Sequence, residues 1–572
     1  MPMDAFSQVA LPPGARATTI VRAADGTLYV GIDNVRVAKS ASSGASWTAC
    51  GSVQGHDVNV LVLDPSGVLY FSGDDGAFAS HDGCATWQAL DSPGGPSFAL
   101  AGPNLLVGAW GGVWESSGGA WSQLSTPMDG HIIQDLAVDT NGTRIFIASD
   151  NGVATSSDSG TTWTLVNSGL GGVDAQYVAL DPVRPLHLFA QASNELYLST
   201  DGAASWTAAT LAGWTAAIDP ASPDFVLQST WNGLVESSDG GASFGGNDER
   251  SPKMALSAVM GMVFGPSSQL FAATNRGVFT APDHNLAWTE IDTGLDAWTV
   301  NQMTAADNGT LYLTTPSGVL VSSDAGATWT DQTQGMQWDS FTTGSVQLPG
   351  SPDTLLFAGS DGILQTVDGG GSFTTIYSTG IADNYHASTV HIVNGEIVAA
   401  TWGGIVTSDA SRTVFTHHDV AGQTRYVYDV VAIDTAAMQL LAITETGLFF
   451  TSDGGATFVA ADAGLDASVF RVAILPDGTL LAGTDQGIFR ASAPTGPWNP
   501  SGLGPATIND LLVAQGHVVA ATSLGVFAST DGAAWTFIPG LEGMNPSALA
   551  VDTAGRLLVG TTGYGLYITP LP

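Results

Sequence analysis

Residues 156–163 read SSDSGTTW, and the same shape returns as SSDGGASF at 237–244, SSDAGATW at 322–329, TVDGGGSF at 366–373 and TSDGGATF at 451–458. The spelling describes a turn. An Asp carboxylate accepts hydrogen bonds from backbone N–H groups of its own turn, and a glycine two residues later supplies a positive φ that other residues resist. Ser and Thr hydroxyls offer further local bonds. The closing aromatic anchors the next strand by burying itself between neighbouring units. These needs are structural, so Asp158, Asp239, Asp324, Asp368 and Asp453 lock turns and do no catalysis. Asp82, Asp201 and Asp531 hold the same place in SHDGCATW, STDGAASW and the shorter STDGAAW, whereas Ser42 replaces the Asp in SASSGASW.

The closing aromatics recur from Trp47 to Trp535 with a mean step of about 41 residues. Periods of this size mark propeller blades or helical solenoids. Each period also carries a short apolar run such as TLYVGI, RIFIAS, TLYLTT, TLLFAG or RLLVGT, 14 in all, bounded by Gly, Asn, Asp or Pro. No 3.6-residue pattern lies between them, so the chain is all-β, with four short strands per blade. The octet is the hairpin between the third and fourth strands. Fourteen blades are too many for one ring, and two tandem seven-bladed β-propellers fit both count and length. The chain ends on RLLVGTTGYGLYITPLP without a fourth strand and begins with FSQVALPPG, which has the pattern of a lone one. The N-terminal strand is expected to complete the last blade and hide its open edge. The first ring is then 17–295, and the second is 296–572 closed by 1–16.

Composition narrows the partners. The chain has 572 residues, with 14 Lys and Arg against 52 Asp and Glu, a formal net charge of −38. Such a surface repels phosphate backbones and anionic lipid, so nucleic acid is excluded as a partner. No apolar stretch is long enough to span a membrane, so no membrane insertion is expected. The opening residues lack a basic segment followed by an apolar one, which places the chain inside the cell or after removal of a signal. Cys50 and Cys84 are the two cysteines. One pair in a chain this long is weak ground for a disulfide, and two free, half-buried thiols are expected.

The octet resembles the Asp-box, or BNR, repeat, Ser-x-Asp-x-Gly-x-Thr-Trp. The resemblance runs along nearly the whole chain and implies propeller blades. It does not specify function, because Asp-box propellers include sialidases, xyloglucan-cleaving tandem propellers, sortilin-type receptors and photosystem II assembly factors. The tandem arrangement is similar to the xyloglucan hydrolases, and each ring to the last two.

Ligand sites on propellers usually lie opposite the Asp-box turns. That face is built from the loops between second and third strands and the loops between blades. It carries aromatics at Trp110, Trp231, Trp298, Trp338, Tyr385, Trp402 and Tyr426. Flat exposed rings beside carboxylates and amides suit sugars, and Trp and Tyr also dominate protein interfaces. A sialidase would need converging arginines and an Arg-Ile-Pro stretch; the twelve arginines are scattered and the tripeptide is absent. An inverting xyloglucan hydrolase needs two carboxylates roughly 6.5–9.5 Å apart. Candidates are Asp57, Asp75, Asp339 and Asp361, but blades this short leave little chain for a deep groove. The histidines lack metal-ligand spacing, HHD at 417–419 is a local cluster, and no cofactor motif appears. GDDG at 73–76 has oxygen ligands that suit Ca²⁺, with a solvated turn as the plainer reading. The expectation is a secreted, periplasmic or envelope-associated propeller that binds a carbohydrate or protein partner and does no chemistry. The alternative is a glycoside hydrolase acting on a β-glucan such as xyloglucan, with a carboxylate pair between the propellers.

Overall fold

The computed structural model describes residues 6–9, 16–32, 36–51, 58–73, 76–117, 119–139, 141–172, 174–193, 195–211, 215–230, 233–245, 258–291, 299–316, 318–332, 342–360, 362–378, 386–421 and 426–571. They form fourteen antiparallel sheets, one per repeat. Thirteen have four strands; the sheet of Ala216–Ile218, Val226–Thr230 and Gly233–Ser237 has three among the described residues. The fold is two tandem seven-bladed β-propellers. One compact unit is Pro13–Leu295, and the other is Asp296–Pro572 with Met1–Pro12. Blades are numbered here in chain order, 1–7 in the first unit and 8–14 in the second.

Within each unit the first strands of successive blades line the centre. Ala17–Arg22 of blade 1 packs against Val60–Leu63 of blade 2 and also against Val259–Phe264 of blade 7, so the ring closes. Gln302–Ala305 of blade 8 likewise meets Pro546–Val551 of blade 14. Second strands are covered on both faces, which is why they are apolar runs with no alternation. Ile145–Ser149 and Leu311–Thr315 are buried at every position. The cores lie between blades. Leu106 and Val113 of blade 3 pack with Ile133, Ile145 and Ile147 of blade 4. Val300 and Leu313 of blade 8 pack with Leu558 and Leu566 of blade 14. Gly560 makes that second closure possible, because a Cβ there would lie 2.6 Å from Val300.

Blade 14 takes its outer strand from the other end of the chain. Ser7–Val9 pairs antiparallel with Leu566–Ile568, as the strandless C-terminus implies.

The octets are the hairpins expected. Asp158 accepts the Thr162 N–H at 2.8 Å and the Ser156 hydroxyl at 2.8 Å on one oxygen, and the Thr162 hydroxyl at 2.6 Å on the other. The Ser156 hydroxyl oxygen accepts the Gly160 N–H at 2.8 Å, and Gly160 has φ 85°. The same set recurs around Asp239, Asp324, Asp368 and Asp453. Asp82 and Asp201 keep it although Cys84 and Ala203 stand in the glycine slot, at φ 71° and 73°. Asp531, in the shortened octet, accepts the N–H groups of Ala533 and Ala534 instead.

The closing tryptophans do more than fill space. Several of their indole N–H groups bond the carbonyl that ends the preceding blade, while those of Trp163 and Trp329 bond Gly160 and Gly326 of their own turns. Trp121 donates to Leu90 at 2.8 Å, Trp206 to Val166 at 2.6 Å and Trp498 to Ala461 at 2.8 Å. Trp47 of blade 1 donates to Ile291 of blade 7 and seals the ring. The seam between blades 1 and 2 has neither bond. Cys50 occupies the carbonyl's place, its N–H bonded to Val37 as that of Leu90 is to Ala77. Cys50 is joined to Cys84 by a disulfide, and the buried Trp87 indole N–H has no partner. The expectation of two free thiols is corrected: the hairpin turn of blade 2 brings position 84 against the end of blade 1, with Cα atoms 5.2 Å apart.

Candidate functional site

The turns between second and third strands are held in a recurring way. The residue after the second strand donates its N–H to the loop entering a first strand: Trp402 to His386, Glu445 to Tyr426, Asp485 to Ser468, Ser193 to Asp174 and Asn275 to Ala258. Side chains on these turns therefore stand on a fixed backbone.

In the second unit this brings four rings together. The Trp402 indole lies 4.6 Å from the His386 ring and 5.2 Å from Tyr426, at 78° and 81°. Tyr426 lies 4.7 Å from Tyr428, again edge to face. Such T-shaped contacts favour the quadrupoles of both rings and fix their planes. His386 Nδ1 faces the Ser360 carbonyl at 3.0 Å, so that nitrogen carries the proton. Trp402 remains 41% exposed despite these contacts. Glu445 is exposed on the neighbouring turn. Burial first, then the charges of Tyr426 and Glu445, push the Tyr428 phenol above its ordinary value. The array is a rigid, partly wet aromatic wall with a carboxylate beside it. It can stack the apolar face of a sugar ring and accept a hydroxyl.

In the first unit Trp110 stands on the turn of blade 3 and is 77% exposed. An isolated bridge to Ile132 and a bond from the Gly111 N–H to the His131 carbonyl hold that turn against the loop entering blade 4. Asp150, on the next turn, accepts His131 Nδ1 at 3.0 Å and the Ile132 N–H at 3.2 Å on one oxygen.

Charged groups also line the first strands. Asp135 follows a bulge in Ile133–Val138 and accepts the Leu136 and Val178 N–H groups, with burial pushing its pKa up to about 7. Asp429 holds the same position in Val427–Asp434. It accepts His391 Nε2 and the Thr389 hydroxyl, both at 2.8 Å. Burial raises Asp429, but the charge and hydrogen bond of His391, then Arg471, outweigh it and hold the carboxyl at about 2. Arg471 Nε is also 3.4 Å from Asp510.

Of the residues expected from sequence, Trp110, Trp402 and Tyr426 stand on the loops foreseen, and Trp402 and Tyr426 are brought together. Trp231, Trp298, Trp338, Tyr385, Asp57, Asp75, Asp339 and Asp361 lie outside the described residues. Tyr428 and the Asp429 network were not foreseen; both depend on a bulge whose register no residue pattern announces. HHD is a satisfied pair, with His417 bonded to the Gly403 carbonyl and His418 to the Thr407 hydroxyl. Among the described residues no group of three His, Cys, Asp or Glu could hold a metal ion.

No family model matches the chain. It is 25% identical over 254 residues to a xyloglucanase of Hypocrea jecorina (strain QM6a), covering 44% of this chain and 26% of that protein. The chain thus spans about a quarter of the length of the curated relative it matches. Among solved structures it resembles the GH74 xyloglucanase from Xanthomonas campestris, at 17% identity and TM-score 0.60 over 99% of this chain and 100% of that one. An ancestral GH74 enzyme gives 14% identity and TM-score 0.63, with 99% of each chain covered. The Niastella koreensis GH74 enzyme gives 17% and 0.57, again with 99% of each covered. At these identities the structural likeness establishes the fold. The sequence match to a xyloglucanase overturns the expectation of a propeller without chemistry. That expectation rested on not finding long cleft loops and a distinctive opening, and absence of a feature is poor ground.

Proposed function

We propose that the protein is a glycoside hydrolase that cleaves a β-glucan such as xyloglucan. The observation that carries this reading is the aromatic wall of His386, Trp402, Tyr426 and Tyr428 with Glu445 at its side, in a chain similar to a xyloglucanase. A glucan chain presents flat pyranose faces that stack on indole and phenol rings, while its hydroxyls meet carboxylates. Bond cleavage needs an acid and a base. Asp57, Asp75, Asp339 and Asp361 are the candidates for the pair, which in an inverting mechanism stands roughly 6.5–9.5 Å apart to admit water. The octet carboxylates are unsuited to this work, because each is tied to its own turn and lies far below neutral pH; Asp158 and Asp453 are at about 2. Resemblance of the octets to the Asp-box accords with this division between framework and chemistry.

The disulfide accords with an extracellular or envelope location, where such bonds persist. Among the described residues no helix is long and apolar enough to cross a membrane.

The test is release of reducing ends from xyloglucan and from mixed-linkage β-glucan by the purified full chain. Release that disappears in one or more of Asp57→Asn, Asp75→Asn, Asp339→Asn and Asp361→Asn supports the reading. No release from either polymer overturns it.

A further inference from the structure

The aromatic wall is assembled from two blades. His386 and Trp402 belong to blade 10, at the entry to Ala387–Val393 and on the turn after Glu396–Thr401. Tyr426 and Tyr428 belong to blade 11, at the entry to and start of Val427–Asp434. The halves meet where Trp402 packs on Tyr426 at 5.2 Å. Half-exposed rings fasten weakly, so their spacing depends on what joins the two first strands.

Both first strands begin with a β-bulge. Pairing runs Ala387↔Thr401 then Thr389↔Ala400, and Val427↔Thr444 then Asp429↔Ile443. Tyr428 is thus the inserted residue of blade 11, and a bulge re-aims the side chain it inserts. The next residue pins it. Asp429 is buried, and its Oδ1 accepts the Val430 N–H, the Thr389 hydroxyl and His391 Nε2, each at 2.8 Å.

Asp135 and Asp510 also follow bulges, and each accepts the N–H of the residue after it, Leu136 and Leu511. Their second oxygens reach forward, to the N–H of Val178 in blade 5 and of Leu549 in blade 14. Asp429 reaches backward instead, to side chains of blade 10, the blade that carries Trp402. Its partners follow His386 closely on one chain segment, and Asp429 itself follows Tyr428. The bond therefore joins the two halves of the wall within a few residues of the rings.

We propose that Asp429, Thr389 and His391 are positioning residues, a clasp between blades 10 and 11 that sets the two halves of the wall at the spacing a polysaccharide needs. All three act through Trp402, Tyr426 and Tyr428. That the ligand is a β-glucan rests on the reading above; that the clasp sets the wall does not.

The experiment has two readouts on the full chain. Hydrogen exchange by mass spectrometry follows peptides holding the Trp402 and Glu445 amides, which bond the His386 and Tyr426 carbonyls. His391→Leu removes a donor to the carboxylate and is expected to speed exchange there roughly tenfold, the scale of one charge-assisted hydrogen bond. His391→Gln, which keeps an N–H at that reach, should restore the wild-type rate. Thr389→Val, equal in shape and lacking the hydroxyl, tests the same clasp should His391→Leu fold poorly. The amide of Asp485, bonded to Ser468 in blade 12, should not change. The second readout is affinity electrophoresis in gels of soluble xyloglucan. His391→Leu should weaken retardation about threefold, against roughly tenfold for Trp402→Ala, and should add nothing in the Trp402→Ala background. Unchanged exchange at Trp402 and Glu445 in both clasp variants overturns the proposal. So does an effect of His391→Leu on retardation that persists in full without Trp402. Retardation indifferent to Trp402 would sink the sugar-binding reading of the wall, while faster exchange in His391→Leu would still establish the clasp.

Discussion

Cys50 and Cys84 are bonded to each other across the seam between blades 1 and 2, where the seams closed by Trp121, Trp206 and Trp498 carry an indole-to-carbonyl hydrogen bond. The covalent link stands in for the bond that Trp87 does not make. Cross-linking residues 34 apart removes chain entropy from the unfolded state, worth about 3–4 kcal/mol on the loop-entropy model. Cys50→Ser, or reduction of the wild type, is expected to lower the melting temperature of the 13–295 unit by roughly 5–10 °C. Scanning calorimetry with and without reductant measures this. An unchanged transition in the reduced protein would show that the seam holds without the bond.

Acid should weaken both units through their turns. Asp82 and Asp158 are depressed first by the hydroxyl and then the N–H of Thr86 and Thr162, and both are held at about 2; Asp531 is depressed first by the N–H groups of Ala534 and Ala533. A depressed carboxyl contributes stability that is fully present above its unfolded pKa and lost as pH falls through the folded value. The turns' share of the stability should therefore hold down to about pH 4 and be lost steeply between about pH 4 and 2, read as a fall in melting temperature. A flat profile through that window would show that the turns keep their shape when protonated.

Asp135 and Asp429 occupy the same blade position and should respond to pH in opposite ways. Asp135 has only N–H donors, and burial lifts it to about 7. A raised carboxyl costs stability as pH rises from its unfolded value through the folded one, so the 13–295 unit should lose stability between pH 4 and 7 on this account. Asp135→Asn should flatten that slope. Asp429 is held at about 2 by His391 and Arg471, against the cost of burial. Arg471→Met would leave Asp429 and Asp510 short of their cation and should cost about 3 kcal/mol or more, read by chemical denaturation at neutral pH.

Trp402→Ala should raise KM for xyloglucan about tenfold, with a smaller change in kcat, since it removes a stacking surface and no reacting group. Tyr426→Phe keeps the ring that packs on Trp402 and should be nearly silent. Initial-rate kinetics on the polymer distinguish the two, and equal effects would mean that the Tyr426 hydroxyl contacts substrate.

Deleting residues 1–12 removes the strand paired with Leu566–Ile568. The 296–572 unit should then melt earlier, while the 13–295 unit keeps its own transition. Simultaneous loss of both would show that the units unfold together.

The fold was legible because its signals are local and repeated. Asp158, Gly160 and Trp163 each have one job, and the job recurs with the same spelling. Even the shared last blade followed from a missing strand at one end and a spare one at the other. The site was legible only as a set of loops. Trp402 and Tyr426 were found because exposed rings on mouth loops have few structural duties. Tyr428 was missed because it occupies the bulge before Asp429, and pairing register sets that. The disulfide was missed because nothing in the spacing of Cys50 and Cys84 says that a hairpin of one blade touches the end of another.

The strand Ser7–Val9 is made before every other described strand of the two units, and its partner Leu566–Ile568 after them. During synthesis the 13–295 unit can close on itself while the rest of the chain is still being added. The opening strand must stay unpaired throughout, its N–H and C=O groups open to any other sheet edge. It is three residues long and reads SQV, which is short and polar enough to be a poor template for premature pairing. The order of manufacture thus makes one ring the early folder and leaves the other waiting for a partner strand made more than five hundred residues later.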